Sequence, residues 1–355
     1  MSRFTSEAAG GVVFVTGWSH APDHRSSSAG PMRIPLRVRW RTMTTHIDVL
    51  TPREVPLGGP RAMRVRRTLP QRQRSLIGAW CFVDHYGPDD VDRSGGMVLP
   101  AHPHTGLQTA SWLFDGELEH RDSVGSLATV RPGELNLMTA GRGISHTEVS
   151  TPETTTLHGA QLWIALPEDA RHVQPGFEHF APGPVRGPGW EARVFIGSLL
   201  GASSPVTTYT PLLGAEIMLA TGKSLELEVD ETFEHGVLLD VGAIDVDGEK
   251  LEPSDLAHVP RGRTTLTVTA HEEARLLLLG GPPFGEAIVM WWNFIGRTHD
   301  EIVGFRQEWQ DQITTDGEVV EAGTSVGEGR FGRVDLDLAP IPAPEMPHVR
   351  LKLRH

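Results

Sequence analysis

The chain has 355 residues, a length that favours more than one domain. It carries 32 Lys and Arg against 45 Asp and Glu, a net charge of −13, so as a whole it has no electrostatic reason to bind nucleic acid or anionic membranes. With 39 Gly and 27 Pro the sequence is rich in turns, which favours many short strands over a helix bundle.

Cysteine content and hydropathy indicate the cellular compartment in which the protein is expected to reside. The single cysteine, Cys81, cannot form an intramolecular disulfide, so the fold does not depend on an oxidising environment. No apolar run approaches the roughly 18 residues of a membrane-spanning helix. The apolar patch at 12–15 is interrupted too soon, by Gly17 and His20, to serve as a secretory signal. We therefore expect a soluble, cytoplasmic protein with no membrane partner.

Residues 1–44 differ from the rest of the chain. They carry six Arg against Glu7 and Asp23 and show no sustained hydrophobic period, which predicts a disordered basic leader. Alternatively, Met43 is the natural start and the leader is not native. A nucleic-acid-binding arm is disfavoured because no aromatic residues are interleaved with the basic ones and no second basic patch accompanies them.

From about residue 45 the pattern is one of strands and turns. The dipeptide Asp115-Gly116 suits a type I′ turn and predicts a hairpin between strands at 110–114 and 117–120. Further strands are predicted at 135–138, 157–166 and 192–196.

A second, similar block begins near residue 209. Its predicted strands are 217–220, 225–229, 236–241, 244–246, 256–259, 264–269 and 276–279, with a turn at Asp247-Gly248. The segments 112–116 and 131–135 parallel 238–242 and 252–256, in the order strand, turn, strand, tight turn. This degenerate repeat predicts two small antiparallel barrels or sandwiches, which we place at 45–180 and 181–295.

One helix is clearly marked near the C-terminus. Thr298 and Glu301 form the pattern of a capping box, which starts a helix. Its apolar residues fall on one stripe that would dock on a barrel: Ile302, Phe305, Trp309 and Ile313. Residues 340–347 look extended, so 296–355 is predicted to be a helix followed by an extended tail.

Two short motifs combine to predict a metal site. His102 and His104 are two residues apart next to a predicted strand, and His146 and Glu148 repeat this spacing downstream. Residues two apart on a strand project to the same face. Two such pairs on different strands can therefore surround one metal with three imidazoles and a carboxylate, leaving coordination positions open. Such ligands suit Fe(II), with Mn, Co, Ni or Cu as alternatives, and the lack of a Cys ligand disfavours a structural zinc.

The sequence around these residues resembles the pirin family. The resemblance is carried by residues 102–109 (HPHTGLQT), 115–123 (DGELEHRDS) and 138–148 (MTAGRGISHTE), with weaker similarity over about 45–310. It implies a bicupin: two stacked double-stranded β-helix barrels with a mononuclear iron in the N-terminal one. The family's ligand pattern falls on His102, His104, His146 and Glu148, and the second barrel has no equivalent set.

The chain departs from the family pattern at two places. Gln108 stands where the family usually has a Glu, and Gln is a poor metal ligand and cannot act as a base. The segment 290–295 also differs from the usual version. Because of these two departures, the resemblance does not specify which substrate the protein binds.

The resemblance implies an enzyme of the quercetin 2,3-dioxygenase type. Its partners would be a small aromatic or enolic substrate and dioxygen, and Glu148 would serve both as a ligand and as the base for the flavonol hydroxyl. The alternative is an iron-dependent, redox-sensing protein that binds a transcriptional or metabolic partner without catalysis of its own. Neither hypothesis requires direct contact with nucleic acid.

Overall fold

Strands dominate the chain, as its turn-rich sequence predicts. The computed structural model describes residues 46–57, 63–322, 329–334 and 338–355, so the predicted leader lies outside the described residues. The observed architecture is the all-β bicupin, with two barrels and a C-terminal helix. No helix in the described ranges is long and apolar enough to cross a membrane.

The first half of the chain contains twelve strands and one short helix. The strands are β1 (Asp48–Leu50), β2 (Arg53–Pro56), β3 (Arg64–Leu69), β4 (Trp80–Asp90), β5 (Val98–His104), β6 (Leu107–Asp115), β7 (Leu118–Asp122), β8 (Leu127–Val130), β9 (Leu135–Thr139), β10 (Ile144–Ser150), β11 (Thr156–Ala165) and β12 (Gly176–Phe180), and the helix is α1 (Val91–Ser94).

The second half contains the remaining strands and the long helix. The strands are β13 (Val185–Gly187), β14 (Trp190–Ile196), β15 (Ser198–Leu199), β16 (Ala202–Ser203), β17 (Leu213–Leu219), β18 (Ser224–Glu228), β19 (Glu234–Val241), β20 (Ile244–Val246), β21 (Glu249–Leu251), β22 (Leu256–Val259), β23 (Thr265–Ala270), β24 (Ala274–Gly281), β25 (Val289–Trp291), β26 (Phe294–Gly296), β27 (Thr314–Thr315) and β28 (Glu318–Val319), and the helix is α2 (His299–Ile313).

Each barrel is built from one seven-stranded and one four-stranded sheet. The first has the strand orders β12-β9-β6-β11-β4-β3-β2 and β5-β10-β7-β8. The second has the orders β1-β22-β19-β24-β17-β14-β13 and β18-β23-β20-β21. The same pair of sheets thus occurs twice, in agreement with the repeat seen in the sequence.

The first strand departs from the linear division of the chain. Although 45–180 was assigned to the first barrel, β1 pairs antiparallel with β22, with Val49 opposite Ala257. It thereby covers the edge of the second barrel's large sheet, where unpaired backbone groups would otherwise remain. The other boundaries proposed from the sequence stay a prediction.

The hairpin predicted at Asp115-Gly116 is wrong. The turn exists, with Gly116 at φ +81°, but it joins β6 and β7, which lie in different sheets and do not pair. At Asp247-Gly248 the same kind of dipeptide does close a hairpin, because β20 and β21 are neighbours in one sheet. The dipeptide specifies a tight turn, whereas the sheet that each strand joins is decided by barrel closure.

The two large sheets pack against each other through a shared apolar layer. Ala110 and Trp112 of β6 and Leu162 of β11 lie in this layer, together with Leu238 and Leu277 from the second barrel. Because strand side chains alternate between faces, the intervening residues of β6 and β11 point into the first barrel. This alternation aims polar side chains at the candidate site described below.

The capping box and the buried stripe of α2 are confirmed. The Thr298 side chain accepts a hydrogen bond from the Glu301 amide, and the Glu301 side chain reaches back to the cap backbone. The predicted apolar stripe is buried against the first barrel and the β25–β26 hairpin. The tail then returns to the first barrel, where the Ile341 amide donates to the Ala101 carbonyl over 2.8 Å.

A polar cluster crosses the interface between the barrels. Oδ1 of Asp240, in the second barrel, lies 2.7 Å from Nε2 of His85 and 2.6 Å from Nε2 of His158, both in the first. Its other oxygen accepts a 2.6 Å hydrogen bond from Arg275, and Ser254 lies 3.0 Å from the second nitrogen of His85. Burial alone would raise the pKa of Asp240, but its histidine partners hold that pKa well below the ordinary value.

Replacing the central carboxylate should destabilise the protein strongly. Asp240→Asn removes the fully buried carboxylate and leaves the partly buried Arg275 guanidinium without its counter-charge. Breaking a buried ion pair costs about 3–5 kcal/mol, and the partial exposure of Arg275 places the expected loss toward the lower end of that range. Urea unfolding at neutral pH measures this loss directly. The matched control is Glu54→Gln, which removes an exposed ion pair with Arg64 and should cost at most about 1 kcal/mol. If Asp240→Asn and Glu54→Gln lowered the free energy of unfolding by the same amount, the polar cluster around Asp240 would not stabilise the interface between the barrels.

Candidate metal centre

The register of three strands places the candidate ligands. Strand β10 lies between β5 and β7 in the small sheet of the first barrel. His146 of β10 is directly opposite His102 of β5, and Glu148 of β10 is opposite His120 of β7. His104 follows His102 at a spacing of two, so its side chain returns to the same face.

Three imidazoles meet on this face. The ring centroids lie 4.4 Å apart for His102 and His146, 5.0 Å apart for His104 and His146, and 5.1 Å apart for His102 and His104. One nitrogen from each ring can be chosen so that all three lie within 4.8 Å of one another, and all three residues are buried. The structure therefore brings together the three histidines singled out in the sequence.

Glu148 joins this cluster through His146. A carboxylate oxygen of Glu148 lies within 4.8 Å of ligand-capable nitrogens of both His146 and His120. Glu148 also lines the same cavity as His102 and His104. His146 is thus common to a group of three histidines and to a second group that contains the carboxylate.

His120 was not predicted as a site residue. Its Nδ1 lies 3.3 Å from Nδ1 of His146, its Nε2 lies 3.3 Å from Asp122, and its ring stacks on Phe177 at 4.8 Å. The signal was present in the sequence, since His120 and Asp122 are also two apart on a strand. A histidine held by a carboxylate beside a candidate metal ligand resembles the outer-shell partners that orient ligands in metal sites.

Two further polar residues hold Glu148. Ser111 Oγ lies 3.1 Å from Oε1 of Glu148 and 2.8 Å from Oε1 of Gln161, and the Gln161 amide donates to Glu148 over 3.4 Å. Ser111 belongs to β6 and Gln161 to β11, on the faces opposite the apolar layer between the barrels. Neither carries a recognisable motif, so only the alternation of the folded strands reveals their role.

Burial controls the charge of the cluster. It lowers the pKa of His102 to about 4 and the pKa values of His104 and His146 well below the ordinary value, so all three rings are neutral near pH 7. Burial also raises the pKa of Glu148, against the opposing effects of His120, Ser111 and Gln161. Neutral imidazole is the form that binds metals, and a cation would relieve the desolvation of the carboxylate.

The unpaired nitrogens of the cluster fit a metal ion. His104 Nδ1 and His146 Nε2 are buried and have no hydrogen-bond partner among the described residues. Such orphaned groups are costly in a folded protein unless a ligand satisfies them. His102 Nδ1 lies 2.9 Å from the Pro100 carbonyl and donates to it, which leaves the other nitrogen of that ring free to act as a ligand.

The cluster opens into a cavity of about 300 Å³ with aromatic walls. Phe82 and Trp163 stack at 4.0 Å on one side, and the edge of Trp163 meets His104 at 5.2 Å. Trp292 and Asn293, at the tip of the β25–β26 hairpin, also line it. Trp292 has φ +51°, a conformation that bulky residues rarely adopt. The segment that departs from the family pattern therefore reaches the mouth of the candidate site.

Gln108 lies apart from the cluster. Its amide donates to Thr139 Oγ1 over 2.9 Å and to the Thr207 carbonyl over 3.0 Å. Thr207 belongs to a loop of the second half, so Gln108 links the two halves of the chain.

Among the described residues, no group of three metal-capable side chains comes from the second barrel alone. His258 is buried, and its Nε2 lies 3.1 Å from Oε2 of Glu234. The one additional group, which includes Asp240, is the polar cluster between the barrels.

Comparison with known proteins places the chain in a family. The sequence matches the Pirin family model over residues 62–164 and the model of the Pirin C-terminal cupin domain over residues 214–314. It is 41% identical over 304 residues to a Pseudomonas aeruginosa protein named "Putative quercetin 2,3-dioxygenase PA1205", covering 84% of this chain and 90% of that protein. A pirin-like protein of Caulobacter vibrioides is 35% identical over 257 residues, covering 69% of this chain and 88% of that one.

Solved structures agree with the sequence comparison. A crystal structure described as quercetin 2,3-dioxygenase from Acinetobacter baumannii superposes with a TM-score of 0.78 at 36% identity, covering 86% of this chain and 97% of that one. The matching domains, the fold and the identity over most of the chain agree with one another. The protein belongs to the pirin family.

Proposed function

We propose that this protein is a metal-dependent dioxygenase that cleaves the enolic ring of flavonols, as in quercetin 2,3-dioxygenation. The proposed metal is Fe(II), held by His102, His104, His146 and Glu148. The observation that supports this most directly is a buried group of three neutral imidazoles and one carboxylate at the end of an aromatic-walled cavity. Relatives named as quercetin dioxygenases agree with the proposal.

The cavity suits a planar substrate. Phe82, Trp163 and Trp292 line it, and planar rings pack well against aromatic side chains. The candidate ligands His102, His104 and Glu148 form one polar part of its lining. A flavonol would therefore place its enolic oxygens inward and its rings along the walls.

Glu148 is the group suited to remove the enolic proton. Its buried carboxylate has a pKa raised by desolvation, which moves it toward the range in which a general base is effective. Ser111 and Gln161 hold the carboxylate in place as it gains and loses a proton. The metal, when bound, would bring dioxygen and the substrate together and make their reaction accessible.

Removing a proposed ligand should empty the site. Purified protein should contain about one equivalent of a divalent transition metal, and His104→Ala or His146→Ala should lose most of it, as measured by elemental analysis. His120→Ala should weaken metal binding by about 10–100-fold without abolishing it, because outer-shell partners have effects of that size.

The matched control is His235→Ala in the second barrel. His235 is 1% exposed, as is His146, so the two variants remove equally buried imidazoles. Metal content should be unchanged in the control. Loss of metal from His235→Ala, or full retention in His146→Ala, would contradict the ligand assignment.

The activity test uses quercetin and Fe(II)-loaded protein. Dioxygen should be consumed and both of its atoms incorporated, while the enolic carbon leaves as carbon monoxide after its two ring bonds break. Glu148→Gln retains an oxygen ligand but loses the base, so turnover should fall by about 10²–10⁴-fold and metal content should fall much less. An oxygen electrode and carbon monoxide detection measure the two gases.

The outcome that contradicts catalysis is equally clear. Iron-loaded protein that takes up no oxygen with any of several flavonols would reject the dioxygenase proposal. Equal and complete loss of metal and activity in Glu148→Gln would assign Glu148 a ligand role alone.

A further inference from the structure

A row of stacked groups leads from the candidate metal centre to a guanidinium. The edge of Trp163 meets His104 at 5.2 Å, Phe82 stacks on Trp163 at 4.0 Å, and the central carbon of Arg67 lies 4.2 Å above the Phe82 ring. Arg67 and Trp163 must lie on opposite faces of Phe82, since both approach its centre so closely. The aromatic wall therefore has a metal ligand at one end and a cation at the other.

Arg67 is held rigidly in this position. Its Nε and Nη2 donate to the two carboxylate oxygens of Asp84 over 2.6 Å and 2.7 Å. The two residues are opposite each other in the β3–β4 pairing, so the ion pair is built into the sheet. A bidentate pair of this kind fixes the plane as well as the position of the guanidinium.

The ion pair presents its positive side to the cavity. The Asp84 side chain is fully buried, whereas that of Arg67 is 24% exposed and lines the cavity. Nη1 of Arg67 makes no hydrogen bond to any described residue, so this nitrogen keeps its donors for a ligand. Arg67 is also the one cationic side chain among the described residues that line the cavity, and the one carboxylate, Glu148, is at the inner end.

We propose that Arg67 binds a second acidic oxygen of the substrate, remote from the enolic oxygens that face the metal. This assigns the substrate class as planar aromatic compounds with an ionisable hydroxyl or carboxyl on the ring away from the reacting carbon, and it rests on the proposed function for the location of the enolic end. The wall of Phe82 and Trp163 supports the rings between the two polar ends. Arg67 is thus a positioning and specificity residue.

Two flavonols test this assignment because they differ only on the fused benzene ring. Galangin carries hydroxyls there at C5 and C7, of which the C7 hydroxyl is remote from the enolic oxygens, and 3-hydroxyflavone carries none. Binding is followed without oxygen, at mildly alkaline pH, by the quenching of tryptophan fluorescence in metal-loaded and metal-free protein. Arg67→Met should weaken galangin binding by about 10–100-fold, the range for a hydrogen bond to a charged group, and should leave 3-hydroxyflavone binding within about twofold.

Two further variants protect the test against loss of folding. Arg64→Met is the matched control, because Arg64 lies on the same strand but is exposed and outside the cavity, and both affinities should be unchanged. Arg67→Met leaves the buried Asp84 unpaired, so the double variant Arg67→Gln with Asp84→Asn removes both charges together. It should show the same selective loss of galangin.

The results separate this inference from the proposed function. Selective loss of galangin binding supports the role of Arg67 even if no flavonol is oxidised, which would reject the dioxygenase proposal alone. Equal loss of both ligands, or unchanged galangin binding and turnover in a folded Arg67 variant, would overturn the role of Arg67 while leaving the dioxygenase proposal intact.

Discussion

The antiparallel pairing of β10 with β5 on one side and β7 on the other is the constraint on which the candidate site depends. It sets His146 opposite His102 and Glu148 opposite His120, so that side chains far apart in sequence meet on one face. A slip of one residue in either pairing would turn those side chains to the other face of the sheet. The barrel resists such slips because its apolar residues would be moved to the wrong face as well.

Burial then gives these side chains their chemical character. The imidazoles are kept neutral and the carboxylate is placed where its charge is costly, so the cluster combines nitrogens without a protein partner and a poorly solvated acid. A bound divalent cation would compensate for both features. The cluster around Asp240 is also buried and rich in histidine, but Arg275 already neutralises its carboxylate. The presence of that guanidinium distinguishes a structural ion-pair cluster from a site suited to a metal.

The two barrels contribute to the molecule in different ways. The first supplies all the candidate ligands, whereas the second supplies the apolar partner layer and the carboxylate of Asp240. The Trp292–Asn293 tip that lines the cavity belongs to the separate β25–β26 hairpin, which contacts the first barrel through Thr105. The sequence departs from the family pattern in this hairpin and at Gln108, and not among the candidate ligands.

The sequence by itself determined the elements that rest on local physics. The two-residue spacing of His102 with His104 and of His146 with Glu148, the capping box at Thr298 and the duplicated strand pattern are all properties of short segments, and the structure contains each of them. The sequence also predicted the tight turn at Asp115-Gly116, but it did not predict that the two strands joined by this turn lie in different sheets. Only the tertiary structure decided that separation, the pairing of β1 with the second barrel, and the positions of Ser111 and Arg67. These depend on which strands become neighbours when the barrels close, and contacts between distant segments leave no periodic or local signal in the chain.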